Sequence, residues 1–198
     1  KVKNTFSSLN SLAKATRDSS YAKIIGITGS VGKTTLKNLI SFSLRNYGKV
    51  HHSPHSYNNK FGVPLSISNL KSNIDYGIFE IGMDKKGEID KLSKIIQPDL
   101  GVITNVSYAH IKNFKNIYKI AEAKSELIDN IRKNGVMILN KDDYFFSFFK
   151  NKAIQKKLKV ISFAKKRNAD IKLMKSIKIK SNYLIVIKIK NKIKNFLV

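Results

Sequence analysis

Between residue 23 and about residue 163, short apolar runs alternate with segments whose apolar positions recur at helical spacing. That alternation is the signature of βαβ units and a mainly parallel sheet. The runs predict strands at Lys23–Thr28, Tyr76–Ile81, Asp99–Thr104, Gly135–Leu139 and Lys159–Phe163. Helices are predicted to begin at Lys33, near Gly87, near Ile117 and near Tyr144. In the first of these, Leu36, Leu39, Ile40 and Leu44 fall on one face, as packing against a sheet requires. Pro64 and Pro98 punctuate loops or element starts, and Asn134-Gly135 reads as a helix stop. Beyond Arg167, Ile171, Leu173, Ile177, Ile179, Leu184, Val186 and Ile189 alternate with lysines on either side of Lys180-Ser181-Asn182, which predicts antiparallel strands. The first twenty residues are rich in Ser, Lys and Asn and only weakly helical. The predicted fold class is α/β, a mainly parallel sheet flanked by helices with antiparallel strands at the C-terminal end.

The first strand runs into Gly26-Ile27-Thr28-Gly29-Ser30-Val31-Gly32-Lys33-Thr34-Thr35, and a helix opens at its end. Glycines there let backbone N–H groups point into one concavity, the helix adds the positive end of its dipole, and the Lys33 ammonium can reach outer phosphates. The Thr34 hydroxyl is placed to ligate the accompanying Mg²⁺. The general pattern places glycine five residues before Gly32, where this chain has Ile27, and its first glycine lies one step earlier. The bland alternative is a Gly/Ser turn between a strand and a helix. Strand, glycines and helix together predict a nucleoside triphosphate site, with Gly29, Ser30, Val31, Gly32, Lys33, Thr34 and Thr35 as its phosphate loop.

Ligands of parallel α/β sheets gather at the carboxyl ends of the strands, and three further residues fall at that edge. Glu80 closes the run Tyr76-Gly77-Ile78-Phe79, where a carboxylate can hold a hard cation, or merely mark the strand's exit into solvent. His110 follows the next strand, and a lone histidine there is equally a surface or capping residue. Lys124 sits at the centre of the stripe Ile117, Ile120, Ala121, Leu127, Ile128 and Ile131. A bare ammonium in that position is costly unless paired or modified, or unless the chain snorkels to the helix edge.

Composition narrows the picture. At 198 residues, with 42% hydrophobic and 26% charged, the chain is that of an ordinary globular domain. No apolar run reaches the length of a membrane span, and the opening segment lacks the core of a signal peptide, so a cytoplasmic protein without membrane spans is expected. A monomer is also expected. The absence of cysteine excludes disulfides, thiolate metal sites and cysteine nucleophiles. A net charge of +25 raises nucleic acid as a partner. Only Arg17, Arg45, Arg132 and Arg167 are arginines, however, and aromatics do not interleave with the cations, so solvated lysine faces and no specific nucleic acid are expected.

The blocks GITGSVGKTTLK, SYNNKFGVPLSI, FEIGMDKKGEI, QPDLGVITNVSYAHIKNF, IAEAKSEL and GVMILNKDD, in order from Ala22 to Asp143, resemble the central domain of the Mur ligases. The family's phosphate loop shares the glycine spacing seen here. The resemblance implies ATP and Mg²⁺ as cofactors, with Gly29, Gly32, Lys33 and Thr34 on the phosphates and first metal, and Glu80 and His110 as magnesium ligands. It implies that Lys124 carries a carbamate formed from CO₂, which turns a buried cation into an anion that can also serve Mg²⁺, and that Lys33, Lys124 and His110 form the catalytic set. Asn58 and Asn59 match paired asparagines near the phosphate and substrate groove, whereas Asn140, Asp142 and Asp143 match a recurrent turn to which no chemistry is assigned. Gly82-Met83, Gly87-Glu88-Ile89 and Pro98-Asp99 resemble the branch that joins D-alanyl-D-alanine to UDP-N-acetylmuramoyl-tripeptide through an acyl phosphate. The alternatives are a tripeptide-forming ligase, a folylpolyglutamate synthase, or a non-catalytic P-loop module. The family's adenine-contacting His-Asn segment has no counterpart in these residues. Residues 1–20 are therefore expected to be a linker from an N-terminal UDP-binding domain, and residues 21–198 a central ATP-binding domain incomplete at its C-terminus and inactive alone.

Overall fold

The computed structural model describes residues 1–108 and 113–198. In chain order the elements are α1 (Thr5–Asp18), β1 (Lys23–Thr28), α2 (Lys33–Leu44), β2 (Val50–His52), α3 (Gly62–Ser68), β3 (Tyr76–Glu80), α4 (Glu88–Ile96), β4 (Leu100–Ile103), α5 (Ile117–Asp129), β5 (Val136–Asn140), α6 (Phe146–Gln155), β6 (Lys159–Ala164), β7 (Ile171–Ile179), β8 (Asn182–Ile189) and β9 (Lys192–Leu197). The described strands form one sheet in the order β2-β3-β1-β4-β5-β6-β7-β8-β9. It is parallel from β2 to β7 and antiparallel from β7 to β9. The five strands predicted from apolar runs are found within one residue at either end.

Period-two alternation divides the sheet's side chains between two layers. Ile24, Phe79, Ile103, Met137 and Leu139 join the large core built with α1, α3, α4, α5 and α6. Ile27, Ile78 and Val102 face the other way, toward Leu36, Ile40 and Leu44 of α2. Leu39 does not share that face and is 59% exposed. The most buried side chains of α2 are instead Lys37 and Ser41, so the helix is rotated from the orientation its leucines predict. On that buried face, carbonyl groups from the segment after β2 accept the Lys37 ammonium.

Residues 5–18, weakly helical by composition, form a full helix that packs on α3 and α4. Asn4 caps it by accepting from the Ser7 amide. Arg17, wholly buried, anchors it by donating to the carbonyls of Ile96 (2.7 Å) and Gln97 (3.0 Å) at the end of α4, with Asp99 3.6 Å away. Those carbonyls are the orphan acceptors of a helix end, which explains why a cation is buried there. α5 ends at Asp129, before Asn134-Gly135; Asn134 adopts the left-handed conformation (φ 63°) in the turn into β5.

Candidate nucleotide and metal site

β1 lies between β3 and β4, and the strand order reverses around it, so its carboxyl end opens at the crevice where such sheets bind ligands. Beyond Thr28 the chain turns through Gly29 (φ 150°) and Gly32 (φ 82°) before α2 begins at Lys33. The N–H groups of Gly32, Lys33, Thr34 and Thr35 make no hydrogen bond among the described residues, leaving four donors in sequence at the positive end of α2. The Lys33 ammonium folds over the loop and donates to the Gly29 carbonyl at 3.0 Å.

The first half of the loop is held from β4's side. Asn105 accepts from the Ser30 amide through its carbonyl (3.0 Å) and from the Val31 amide through its side chain (3.0 Å). Thr104 donates its hydroxyl to the Val31 carbonyl (2.7 Å), and the Ser30 hydroxyl accepts from the Ser107 amide (2.9 Å). Ser30 and Val31 therefore give their amides to Asn105, and the free donors belong to Gly32 through Thr35.

The second half meets β3. The Thr34 hydroxyl donates to Glu80 at 2.6 Å and lies 3.3 Å from the Ser56 hydroxyl. Asn58 donates to the other Glu80 oxygen at 2.7 Å. Glu80 is 1% exposed, so the apolar run ends in a buried carboxylate rather than an exit into solvent. Asn59 turns away, its side-chain oxygen accepting from the amides of Phe61 and Gly62 at the start of α3. Both asparagines, with Lys33, line a cleft of about 880 Å³ whose walls include Phe6 of α1, Lys60, Phe61, Lys85 and Lys91.

Lys124, on α5, is 2% exposed and forms no hydrogen bond or ion pair among the described residues. It does not snorkel. Burial, with the nearby Lys33 ammonium, pushes its pKa down from 10.5 to about 7. The structure thus brings Lys33, Thr34, Asn58, Glu80 and Lys124 to one corner. His110 lies outside the described residues.

Several residues of this corner carry no mark in the sequence. Asn105, Thr104 and Ser56 are short polar residues in loops, and nothing in their spacing singles them out. Asp142 and Asp143 turn out to be braces: Asp143 accepts from the Val106 amide (2.7 Å), and Asp142 from the amides of Lys165, Lys166 and Arg167. The turn after β5 thereby fixes the loops leaving β4 and β6.

A glycine loop feeding a helix at the switch point, with its threonine bonded to an acid on the adjacent strand tip, defines an α/β domain of the P-loop class. The chain belongs to the Mur ligase family: residues 27–196 match the Mur ligase middle domain. Among curated relatives it is 36% identical over 170 residues to the UDP-N-acetylmuramoyl-tripeptide–D-alanyl-D-alanine ligase of Buchnera aphidicola subsp. Baizongia pistaciae, covering 86% of this chain and 36% of that one. It superposes on the crystal structure of MurF from Acinetobacter baumannii with a TM-score of 0.91 at 28% identity, over 100% of this chain and 43% of that one. The MurF ligase of Thermotoga maritima, solved in complex with ADP, gives a TM-score of 0.89 at 26% identity, over 99% and 45%. The chain spans about a third of the length of the curated relatives it matches.

Proposed function

We propose that this chain is the ATP-binding part of a ligase that joins D-alanyl-D-alanine to UDP-N-acetylmuramoyl-tripeptide in cytoplasmic assembly of the peptidoglycan precursor. The observation that carries the reading is the 2.6 Å bond from Thr34 to Glu80 across the mouth of the phosphate loop. It sets a hydroxyl and a carboxylate side by side, the hard oxygen donors that suit Mg²⁺.

In this reading the amides of Gly32 to Thr35 and the Lys33 ammonium hold the outer phosphates of ATP, while Thr34 and Glu80, joined by His110, hold Mg²⁺. The tripeptide's terminal carboxylate takes up the γ-phosphoryl group, the amine of D-alanyl-D-alanine attacks the acyl phosphate, and phosphate leaves. The residues contribute charge neutralisation and alignment, because the obstacle is bringing an anionic carboxylate to an anionic phosphate. Lys33, Lys60, Lys85 and Lys91 outnumber Asp84 and Glu88 in the cleft beside Asn58, which leaves it a net positive charge suited to an anionic substrate.

Lys124 fits the carbamate. Burial brings the Lys124 pKa down to about 7, so a substantial share is neutral amine near neutral pH, the form that adds CO₂, and the product offers two oxygens in place of an ammonium that has no partner among the described residues. With ATP bound, that group would supply negative charge opposite Lys33 and the metal.

The test is to graft this chain in place of the matching segment of the Buchnera relative and to measure phosphate release. Release requiring ATP, UDP-N-acetylmuramoyl-tripeptide and D-alanyl-D-alanine together is expected, and Lys124→Ala should abolish it, with partial rescue by short carboxylic acids. Release that ignores D-alanyl-D-alanine would overturn the assignment, and full activity of Lys124→Ala would remove the carbamate.

A further inference from the structure

Lys37 has no part in the assignments above, yet it is among the most deeply buried cations of the molecule, at 1% exposure. It lies one helical turn beyond Lys33. Its ammonium donates to the Ser53 carbonyl at 2.7 Å and, in a short contact, to the His55 carbonyl. His55 takes the left-handed conformation (φ 43°) in this turn, where both carbonyls meet α2. No carboxylate pairs with Lys37 within salt-bridge distance among the described residues, although Glu80 is near enough to favour its charge against the lowering that burial causes. An apolar side chain would fill the space without the desolvation cost, so two carbonyls aimed at one point are what call for a cation there.

What these carbonyls belong to gives the contact its consequence. The segment 53–58 has few ties to the sheet: the Ser53 amide donates to Ile78, the Ser53 hydroxyl accepts from the Glu80 amide (3.4 Å) and the Asn58 carbonyl accepts from the Gly82 amide (2.7 Å), while within the segment Tyr57 donates to Pro54 and Asn58 to Ser56. Yet it delivers two of the polar groups that surround the acid and hydroxyl of the phosphate corner. Ser56 lies 3.3 Å from the Thr34 hydroxyl, and Asn58 donates to one Glu80 oxygen at 2.7 Å while Thr34 takes the other.

We propose that Lys37 is a positioning residue for the metal–phosphate corner: by pinning the Ser53 and His55 carbonyls to α2 it holds Asn58 on Glu80 and Ser56 beside Thr34. Glu80 is then kept with one oxygen occupied by Asn58 and the other presented at Thr34. The inference rests on the reading of Thr34 and Glu80 as Mg²⁺ ligands, and the two can fail separately.

The experiment uses the 198-residue chain and ADP, titrated calorimetrically with and without Mg²⁺, together with hydrogen exchange of the ligand-free protein. The unsubstituted chain is expected to bind ADP more tightly with Mg²⁺; if Mg²⁺ makes no difference there, the metal reading fails, whatever Lys37 does. Given that gain, Lys37→Met should cut it roughly tenfold, about what one charge-assisted hydrogen bond is worth. Metal-free affinity should stay within about twofold, since the loop amides are untouched. Amides of Ser53 and residues 55–58 should exchange faster, and Lys37→Arg should restore part of the Mg²⁺ gain. Should Lys37→Met not fold, Lys37→Gln, a shorter neutral donor, should change the same readouts in the same direction but by less. Adding Lys37→Met to Asn58→Ala should cost little more than Asn58→Ala alone. An unchanged Mg²⁺ gain, equal losses with and without Mg²⁺, or additive losses in the double variant would each overturn the proposal.

Discussion

A β-carbon at Gly29 would lie 1.8 Å from the Thr104 hydroxyl oxygen, and the backbone there has a positive φ of 150°. The loop is thus folded hard against the end of β4, and the same Thr104 hydroxyl holds the Val31 carbonyl. Gly29→Ala is expected to destabilise the chain by roughly 1–3 kcal/mol, the range for strained backbone at functional sites. Thr104→Ala alone should cost about 1 kcal/mol for the lost hydrogen bond. Because it also removes the oxygen that the new methyl group of Gly29→Ala would strike, the double variant should be more stable than the sum of the two losses. Urea unfolding of the three variants measures this, and strict additivity would show that the contact does not set the loop. Lys124 and Lys37 show how far such a corner can be read from spacing. Lys124 is conspicuous in the sequence because its stripe is otherwise apolar. Lys37 presents the same conflict, but the leucines of α2 suggest a face that leaves it outside, and the carbonyls of residues 53 and 55 that accept its ammonium are remote from α2 in sequence.

At the scale of elements, the central strands are legible because both faces of a parallel sheet are covered and their sequences become apolar runs. β2 is not. Two of its three residues, His51 and His52, read as polar, yet His51 is half-buried, its Nε2 donating to the Ser66 carbonyl of α3 at 2.9 Å and its ring 5.8 Å from Phe79. α3 is hidden by Gly62, Pro64 and the serines 66 and 68, residues that ordinarily punctuate loops; here the Asn59 side chain accepts from the amides of Phe61 and Gly62, and Pro64 sits in the first turn, leaving only the Lys60 carbonyl without a helical donor between the Val63–Asn59 and Leu65–Phe61 bonds. α1 lacks an apolar stripe because its anchor is Arg17. The His51 contact has a pH consequence. Burial lowers its pKa below 6.5, the Ser66 bond opposing only in part. Below 6.5 the unfolded chain takes a proton that the folded chain resists, so stability should fall as pH drops from 6.5 toward the lower folded value. His51→Gln keeps a donor for Ser66 without the titration, and its stability should change less between pH 7 and pH 5. Thermal unfolding across that range checks it, and identical pH profiles would remove His51 from the account.

For the whole molecule, charge is unevenly spread. Residues 165–198 carry eleven lysines and arginines and one acid, Asp170, whose carboxylate is already engaged by the Ser162 amide and hydroxyl. The sheet they form, β7 to β9, has no helix packed on it among the described residues, and its outer strand β9 is exposed throughout. Little apolar burial therefore opposes the mutual repulsion of its lysines. Cross-strand pairs put like charges directly opposite one another at Lys172 and Lys188, which is unfavourable in a ladder. Repulsion between exposed charges is long-ranged at low salt and short-ranged at physiological salt, the screening length falling from about 30 Å at 0.01 M to about 8 Å at 0.15 M. Raising NaCl across that interval should slow hydrogen exchange in β8 and β9 by more than in β1, β3 and β4, whose stability comes from the covered core. The unfolding temperature of the chain should rise as well, since a net charge of +25 works against compactness everywhere. Replacing Lys172 and Lys175 by glutamine should reproduce part of the salt effect at low ionic strength. If β8 and β9 exchange at the same rate at both salt concentrations, the hold on this sheet is not limited by its charge.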